Sequence, residues 1–207
     1  MIPYEKALSI YNGLTRNEKI WPEERFGQLT NLVKFLEEET TWLKCPASSK
    51  YHLAMEGGLL IHSIMVTLTL LRLRQALAPD LDMASCLLCG IFHDVGKLGE
   101  PGKPLYVPAQ GQKKRYQDFE ISQAPVAMGY GLRSLFLISQ MVKLSHEEAQ
   151  AIAYHDGQYI PDNEVVAMKE ETLTLLLHYA DLWSAKEYES GKREFKLLEK
   201  TNEMFNV

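Results

Sequence analysis

The stretch "GIFHDVGKLGE", Gly90 to Glu100, decides how this chain folds. It joins an apolar run to a glycine-punctuated turn and sets His93 directly beside Asp94 at the junction. Upstream, Met83 to Val95 reads as one helix, with Asp82 as its N-cap and Gly96 and Gly99 ending it. Downstream, "GEPGKPLYVPAQGQKKRY" holds too much Gly and Pro for a helix and reads as a loop with short extended pieces. An apolar helix ending on two metal-ligand side chains needs partners that bury it, and the rest of the chain supplies further helices.

In "FGQLTNLVKFLEEETTWL" the apolar positions Leu29, Leu32, Val33, Leu36 and Leu43 recur near a 3.6-residue period. Gly57 and Gly58 open a long apolar segment that runs to about Leu77, where Pro79 and Asp80 close it. Ser145 and Glu148 form a capping box for "SHEEAQAIAYHD", which Gly157 terminates. "KEETLTLLLHYADLWSAKEYE" is the last strong helix, roughly Glu170 to Glu189. No repeat, low-complexity tract or linker interrupts the series. A single all-α domain is expected.

Composition narrows the function. A chain of 207 residues with 46% hydrophobic residues can bury a core. Its net charge of −5 argues against strong non-specific binding to nucleic acid or to an anionic membrane. No uninterrupted apolar run reaches the roughly 18 residues of a membrane span. The N-terminal "MIPYEKALSIYNG" lacks a signal-peptide pattern, and three cysteines form no disulfide framework, so a cytoplasmic location is expected. Cys86 and Cys89 lie inside an apolar helix and read as ordinary buried cysteines.

Histidine and acidic residues concentrate in four helical stretches: His62, His93-Asp94, His155-Asp156, and His178 with Asp181. A lone histidine on an apolar helix is most often a core residue bonded to a backbone carbonyl. Four such places in one small helical domain point instead to a shared cation, because buried polar groups need partners. Imidazole nitrogen with carboxylate oxygen suits Mn, Fe, Zn, Co or Ni better than Ca.

The order His62, His93-Asp94, Asp181 resembles the HD-domain superfamily of metal-dependent phosphohydrolases. The surrounding stretches "PASSKYHLAMEGGLLIHS", "LLCGIFHDVGKLGE", "YHDGQYIPDN" and "LLLHYADLWSAK" resemble one branch, the HD domain of bacterial OB-fold-linked 3′→5′ exoribonucleases, over roughly Phe35 to Glu187. The resemblance implies an HD-type helical bundle with a Gly/Pro-rich loop after the HD helix. It divides the chain into an N-terminal helical extension (1–34) packed on the core, the HD domain (35–189) and a C-terminal tail (190–207). Two departures stand out. His52 is followed by Leu53 rather than a second histidine, and "EISQAPVAMGYG" contains no histidine. Both lower the expectation of a second metal. The 34 residues before Phe35 are also too few for an OB-fold.

By this resemblance His62, His93, Asp94 and Asp181 hold one divalent transition metal (Mn, Fe, Co, Ni or Zn, with Mg admissible), and a second stays open. Asp94 is expected to orient the nucleophilic water as well. His155 is the candidate general acid or second-metal ligand, since imidazole suits proton transfer near neutrality. Lys97 is the candidate contact to a substrate phosphate. His52, Lys113, Lys114 and Arg115 are the other substrate-binding candidates, and His178 is a candidate partner behind the ligands. The leading reading is hydrolysis of a phosphomonoester or phosphodiester of a nucleotide or short oligonucleotide. The competitors are a 3′→5′ exonuclease working with a separate strand-binding partner, and a non-catalytic metal-binding interaction domain.

Overall fold

The computed structural model describes residues 1–196. Of the tail expected over 190–207, positions 197–207 lie outside the described residues. Seven α-helices carry the described architecture: α1 (Tyr4–Thr15), α2 (Glu23–Glu39), α3 (Gly58–Leu77), α4 (Met83–Phe92), α5 (Tyr130–Ser139), α6 (His146–Tyr154) and α7 (Thr172–Trp183).

The axis is α3. Every residue from Gly58 to Leu70 is buried, so this helix has no solvent face over its first three turns. α1, α4 and α7 pack around it. It is long and apolar enough to cross a membrane by composition, yet two thirds of that stretch is buried inside the fold, as befits a core helix. α4 approaches α3 closely at Gly90, where a Cβ would stand 2.9 Å from the Cα of Thr67.

The expected caps are present. Asp82 accepts from the Ser85 amide at 2.7 Å, and Ser145 with Glu148 forms the reciprocal capping box of α6. Glu148 does more than cap. Its fully buried carboxylate also accepts from Ser85 Oγ at 2.7 Å and from Arg25 at 3.2 Å. One buried charge thus ties α2, α4 and α6 together.

The described residues are mostly helical, as expected, but all-α is only approximate, and the short extended pieces expected in the loop pair up. The Gly/Pro-rich loop folds into two small antiparallel sheets, β1 (Gly99–Glu100) with β2 (Lys103–Pro104), and β3 (Tyr106–Pro108) with β4 (Phe119–Ile121). Strands of two or three residues carry no readable alternation. Two helix ends also shift. α4 stops at Phe92, followed by a separate 3-10 turn over Val95–Leu98. α7 starts at Thr172, and its continuation over Ser184–Glu189 is a π-helical turn. α5 had no sequence assignment. Its buried Arg133 donates to Gly96 O at 3.2 Å, and its Ser134 hydroxyl accepts from Gly96 N at 2.8 Å. α5 therefore clamps the turn that follows His93-Asp94.

Candidate metal centre

Four elements converge on one cluster. His62 comes from the N-terminal turns of α3, His93 and Asp94 from the end of α4, His155 and Asp156 from the end of α6, and Asp181 from α7. His93 and His155 are each the C-cap of their helix. The last carbonyls of a helix lack an intrahelical partner. His93 Nδ1 uses one, Gly90 O at 2.9 Å, and His155 Nδ1 uses another, Ile152 O at 2.9 Å. A carbonyl only accepts, so both Nδ1 atoms donate, and in the neutral ring Nε2 carries a bare lone pair. The usual fate of a core histidine, a bond to a backbone carbonyl, here orients the ring with its other nitrogen free.

Those nitrogens face carboxylates. His62 Nε2 lies 3.2 Å from Asp181 Oδ1 and 3.4 Å from Asp94 Oδ2. His93 Nε2 lies 3.7 Å from Asp94 Oδ2. His155 Nε2 lies 3.4 Å from Asp94 Oδ1. Yet His62 Nε2 and His93 Nε2 are buried with no hydrogen-bond partner. Ligand atoms about 2.1 Å from one ion at tetrahedral angles stand about 3.4 Å apart. The observed separations suit the edges of a coordination sphere, and the residues present fit a divalent cation. His62, His93 and Asp181 form one compact triad, and His93, Asp94 and His155 form another. Asp94 belongs to both sides, one oxygen toward His62 and His93 and the other toward His155.

Charge agrees with geometry. Asp94, Asp156, Asp181 and Glu189 bring four carboxylates against the single ammonium of Lys97, an excess of three negative charges on neutral imidazoles. The C-terminal ends of α4 and α6 point at the same place and add partial negative charge. Burial alone would raise the carboxyl of Asp94, but the salt bridge from Lys97 and the nearby histidines hold it well below the carboxylate range. Asp181 is likewise depressed: its burial is outweighed by His62, then by His93 and His155. Burial opposes the imidazolium of His62, but Glu189, Asp181 and Asp94 raise its pKa well above the ordinary value. Burial also opposes His155, and Asp94 with Asp156 lifts it to about 9. His93 is the exception: burial drags it to about 4, so it is a neutral nitrogen donor.

The other candidates sort by position. Lys97 is 14% exposed and salt-bridged to Asp94, so its ammonium belongs to the cluster. His52 stands at the rim, its ring centroid 5.7 Å from that of His62. His178 Nδ1 donates to His155 O at 2.8 Å, supporting the cluster through the His155 backbone. Lys113, Lys114 and Arg115 form an exposed 3-10 turn between β3 and β4, where Lys113 pairs with Glu120 at 2.9 Å. Among the described residues they share no hydrogen bond or ion pair with the cluster. Two further acidic residues stand near the histidines; the sequence marks Asp156 only as the neighbour of His155 and does not single out Glu189. Asp156, 41% exposed, joins His155 and Asp181. Glu189, its side chain fully buried, meets His62 Nδ1 at 2.7 Å.

A model of the HD domain family matches residues 59–188. That is more than half of the chain, and the chain belongs to the HD domain family. Membership implies metal-dependent phosphohydrolase chemistry in general terms; the match does not extend to the exoribonuclease branch. Neither a curated protein nor a solved structure matches the chain.

Proposed function

We propose that this protein hydrolyses a phosphomonoester or phosphodiester of a nucleotide or very short oligonucleotide at a single divalent metal held by His62, His93, Asp94 and Asp181. The observation carrying this reading is the pair of buried, unpartnered Nε2 atoms of His62 and His93, aimed at Asp94 and Asp181.

A divalent ion in such a site supplies charge stabilisation at a phosphoryl oxygen and a water of lowered pKa. The chain's own groups do the rest. Asp94 spreads its two oxygens between the His62–His93 side and His155, which lets one carboxylate serve as ligand and as the hydrogen-bond acceptor that orients the attacking water. Lys97 keeps its charge beside Asp94 and can neutralise a phosphate oxygen entering from the rim. His155, with Nδ1 committed to Ile152 O, presents Nε2 as the proton donor to the leaving oxygen. Asp156 and His52 are the more exposed side chains at the cluster's edge.

A cavity of about 390 Å³ between α7 and the loop after α6, lined by none of the cluster's own side chains, is the place we propose for the base. Gly157, next to Asp156, and His178, one turn before Asp181, both line it together with Tyr159 and Tyr179. His178 packs between those tyrosines, with ring centroids 6.1 and 5.5 Å away. Aromatic faces of this kind stack a nucleobase. The test combines metal analysis with turnover of an aryl phosphate and a nucleotide panel in Mn, Co and Zn. Expected are about one metal per chain and metal-dependent release of phosphate or nucleotide, abolished in His93→Ala. Metal uptake without turnover of any substrate would favour the non-catalytic reading.

A further inference from the structure

Glu189 is not among the expected ligands, yet it makes the shortest carboxylate contact to His62. Its Oε1 lies 2.7 Å from His62 Nδ1. Its Oε2 is buried without a hydrogen-bond partner and sits 3.8 Å from His52 Nε2. Burying a carboxylate is costly unless something holds its charge in place, and one imidazole contact is a poor return for a side chain with no solvent exposure.

The backbone takes an unusual path to put it there. Asp181 and Glu189 are eight residues apart. An α-helix turns about 100° per residue, so Glu189 would point roughly 80° away from Asp181 on a regular continuation of α7. The π-helical turn over Ser184–Glu189 accommodates one extra residue and brings Glu189 back to nearly the same face. Ser184, fully buried, anchors the start of that turn against Thr69 of α3 at 3.3 Å. The result is Asp181 on Nε2 of His62 and Glu189 on Nδ1 of the same ring.

We propose that Glu189 is the positioning carboxylate of His62. It accepts the Nδ1 proton, fixes the tautomer that presents Nε2 to the metal, and raises the basicity of that nitrogen; the π-helical turn is the device that delivers it. This rests on the metal reading above. Carboxylate–histidine–metal arrangements of this kind change metal affinity about 10–100-fold when the carboxylate is altered.

The experiment measures Zn and Co affinity by chelator competition on wild type, Glu189→Gln and Glu187→Gln. Glu187 lies in the same turn but pairs with Arg193 at 2.9 Å on the outer side, so it controls for general damage to the turn. Glutamine keeps the shape of Glu189 and can still accept a hydrogen bond, so the change isolates charge. Expected is an affinity lower by about 10–100-fold in Glu189→Gln and unchanged in Glu187→Gln. A wild type that takes up no metal overturns the metal reading, and the proposal with it. Wild-type uptake with equal affinity in Glu189→Gln overturns only the role of Glu189, as does equal weakening in both variants. A second ion bound by wild type and lost in Glu189→Gln, with the first unaffected, makes Glu189 a ligand and overturns positioning. Should Glu189→Gln fold poorly, nitrogen-15 NMR of the Zn-loaded wild type decides: His62 with its proton on Nδ1 is expected, and a proton on Nε2 refutes the proposal.

Discussion

At Asp94 a single carboxylate answers a buried ammonium and faces three imidazoles, so its removal strands more than a metal. Without Asp94, Lys97 becomes a nearly buried charge with no partner. Asp94→Ala is therefore expected to lower metal-free stability by about 3–5 kcal/mol. Asp181→Ala, at an 18% exposed side chain without that lysine contact, should cost less while still weakening metal binding. The double variant Asp94→Ala/Lys97→Met should recover much of the lost stability without recovering metal; urea unfolding of chelated samples checks all three, and equal losses for Asp94→Ala and Asp181→Ala would contradict the assignment. His155 gives a pH test. Its folded pKa of about 9 exceeds the unfolded value near 6.5, so its contribution to stability is complete below pH 6.5 and disappears as pH rises through 9. His62 acts in the same direction. His93, lowered to about 4, acts oppositely, but only below pH 6.5. The melting temperature of chelated protein should therefore fall from pH 6.5 to 9.5. That of metal-loaded protein should fall less, because metal and proton compete for the His62 lone pair and the ion's charge disfavours a second cation at His155. Parallel falls with and without metal would exclude that competition. The same residues show what sequence can carry. His62, His93, Asp94 and Asp181 stand out because each interrupts an apolar helix. Glu189 stands among Glu187 and Glu194, chemically identical residues that face outward to different degrees, and no local pattern separates it from them.

Helix interiors follow from periodicity and caps, which is why α3, α6 and the body of α7 fall where the sequence puts them, whereas their ends and the short strands depend on tertiary contacts. α4 stops at Phe92 because His93 and Asp94 turn toward the cluster and α5 holds Gly96 from outside, a contact 38 residues away that no window of sequence contains. The π-helical turn after α7 likewise answers to α3 and His62 rather than to local propensity. The loop after α6 is the element whose conformation most directly controls the site. Gly157 adopts φ +70°, and an added Cβ would stand 2.3 Å from Cε1 of the His178 ring. That ring holds the His155 carbonyl at 2.8 Å, so a displaced His178 releases the backbone that carries His155 and Asp156. Gly157→Ala is expected to destabilise the fold by about 1–3 kcal/mol through backbone strain and crowding. It should also reduce turnover more than it reduces metal content, since His62, His93 and Asp181 are untouched. Gly129→Ala, with open space around the new methyl and an ordinary φ, is the neutral comparison. Thermal melts and metal analysis of the pair check the expectation, and a Gly157→Ala protein as stable and active as Gly129→Ala would show that the loop is not constrained as described.

Across the whole molecule, the limits on substrate come from charge and from where the basic groups lie. Processive attack on a single strand needs a surface that holds several nucleotides by base stacking and a continuous basic track. This chain has a net charge of −5, and its densest basic run, Lys113 to Arg115, sits on an exposed turn where Lys113 is already paired with Glu120. The aromatic cavity between α7 and the loop after α6 has room for about one base. On the proposed reading, one base in that cavity with its phosphate at the metal is the substrate these features suit. Mononucleotides and very short oligonucleotides are therefore expected to outperform long strands, with only weak dependence on salt for the mononucleotide because few phosphates are neutralised. Replacing Lys113, Lys114 and Arg115 by Ala should leave mononucleotide kinetics unchanged and raise KM for a trinucleotide with little change in kcat, the signature of lost uniform binding. Assays of the purified protein on a mononucleotide panel, a trinucleotide and a strand of about 30 nucleotides decide the matter. Rapid processive degradation of the long strand, with shorter substrates untouched, would instead assign the protein to strand degradation and require a strand-binding surface beyond the features described above.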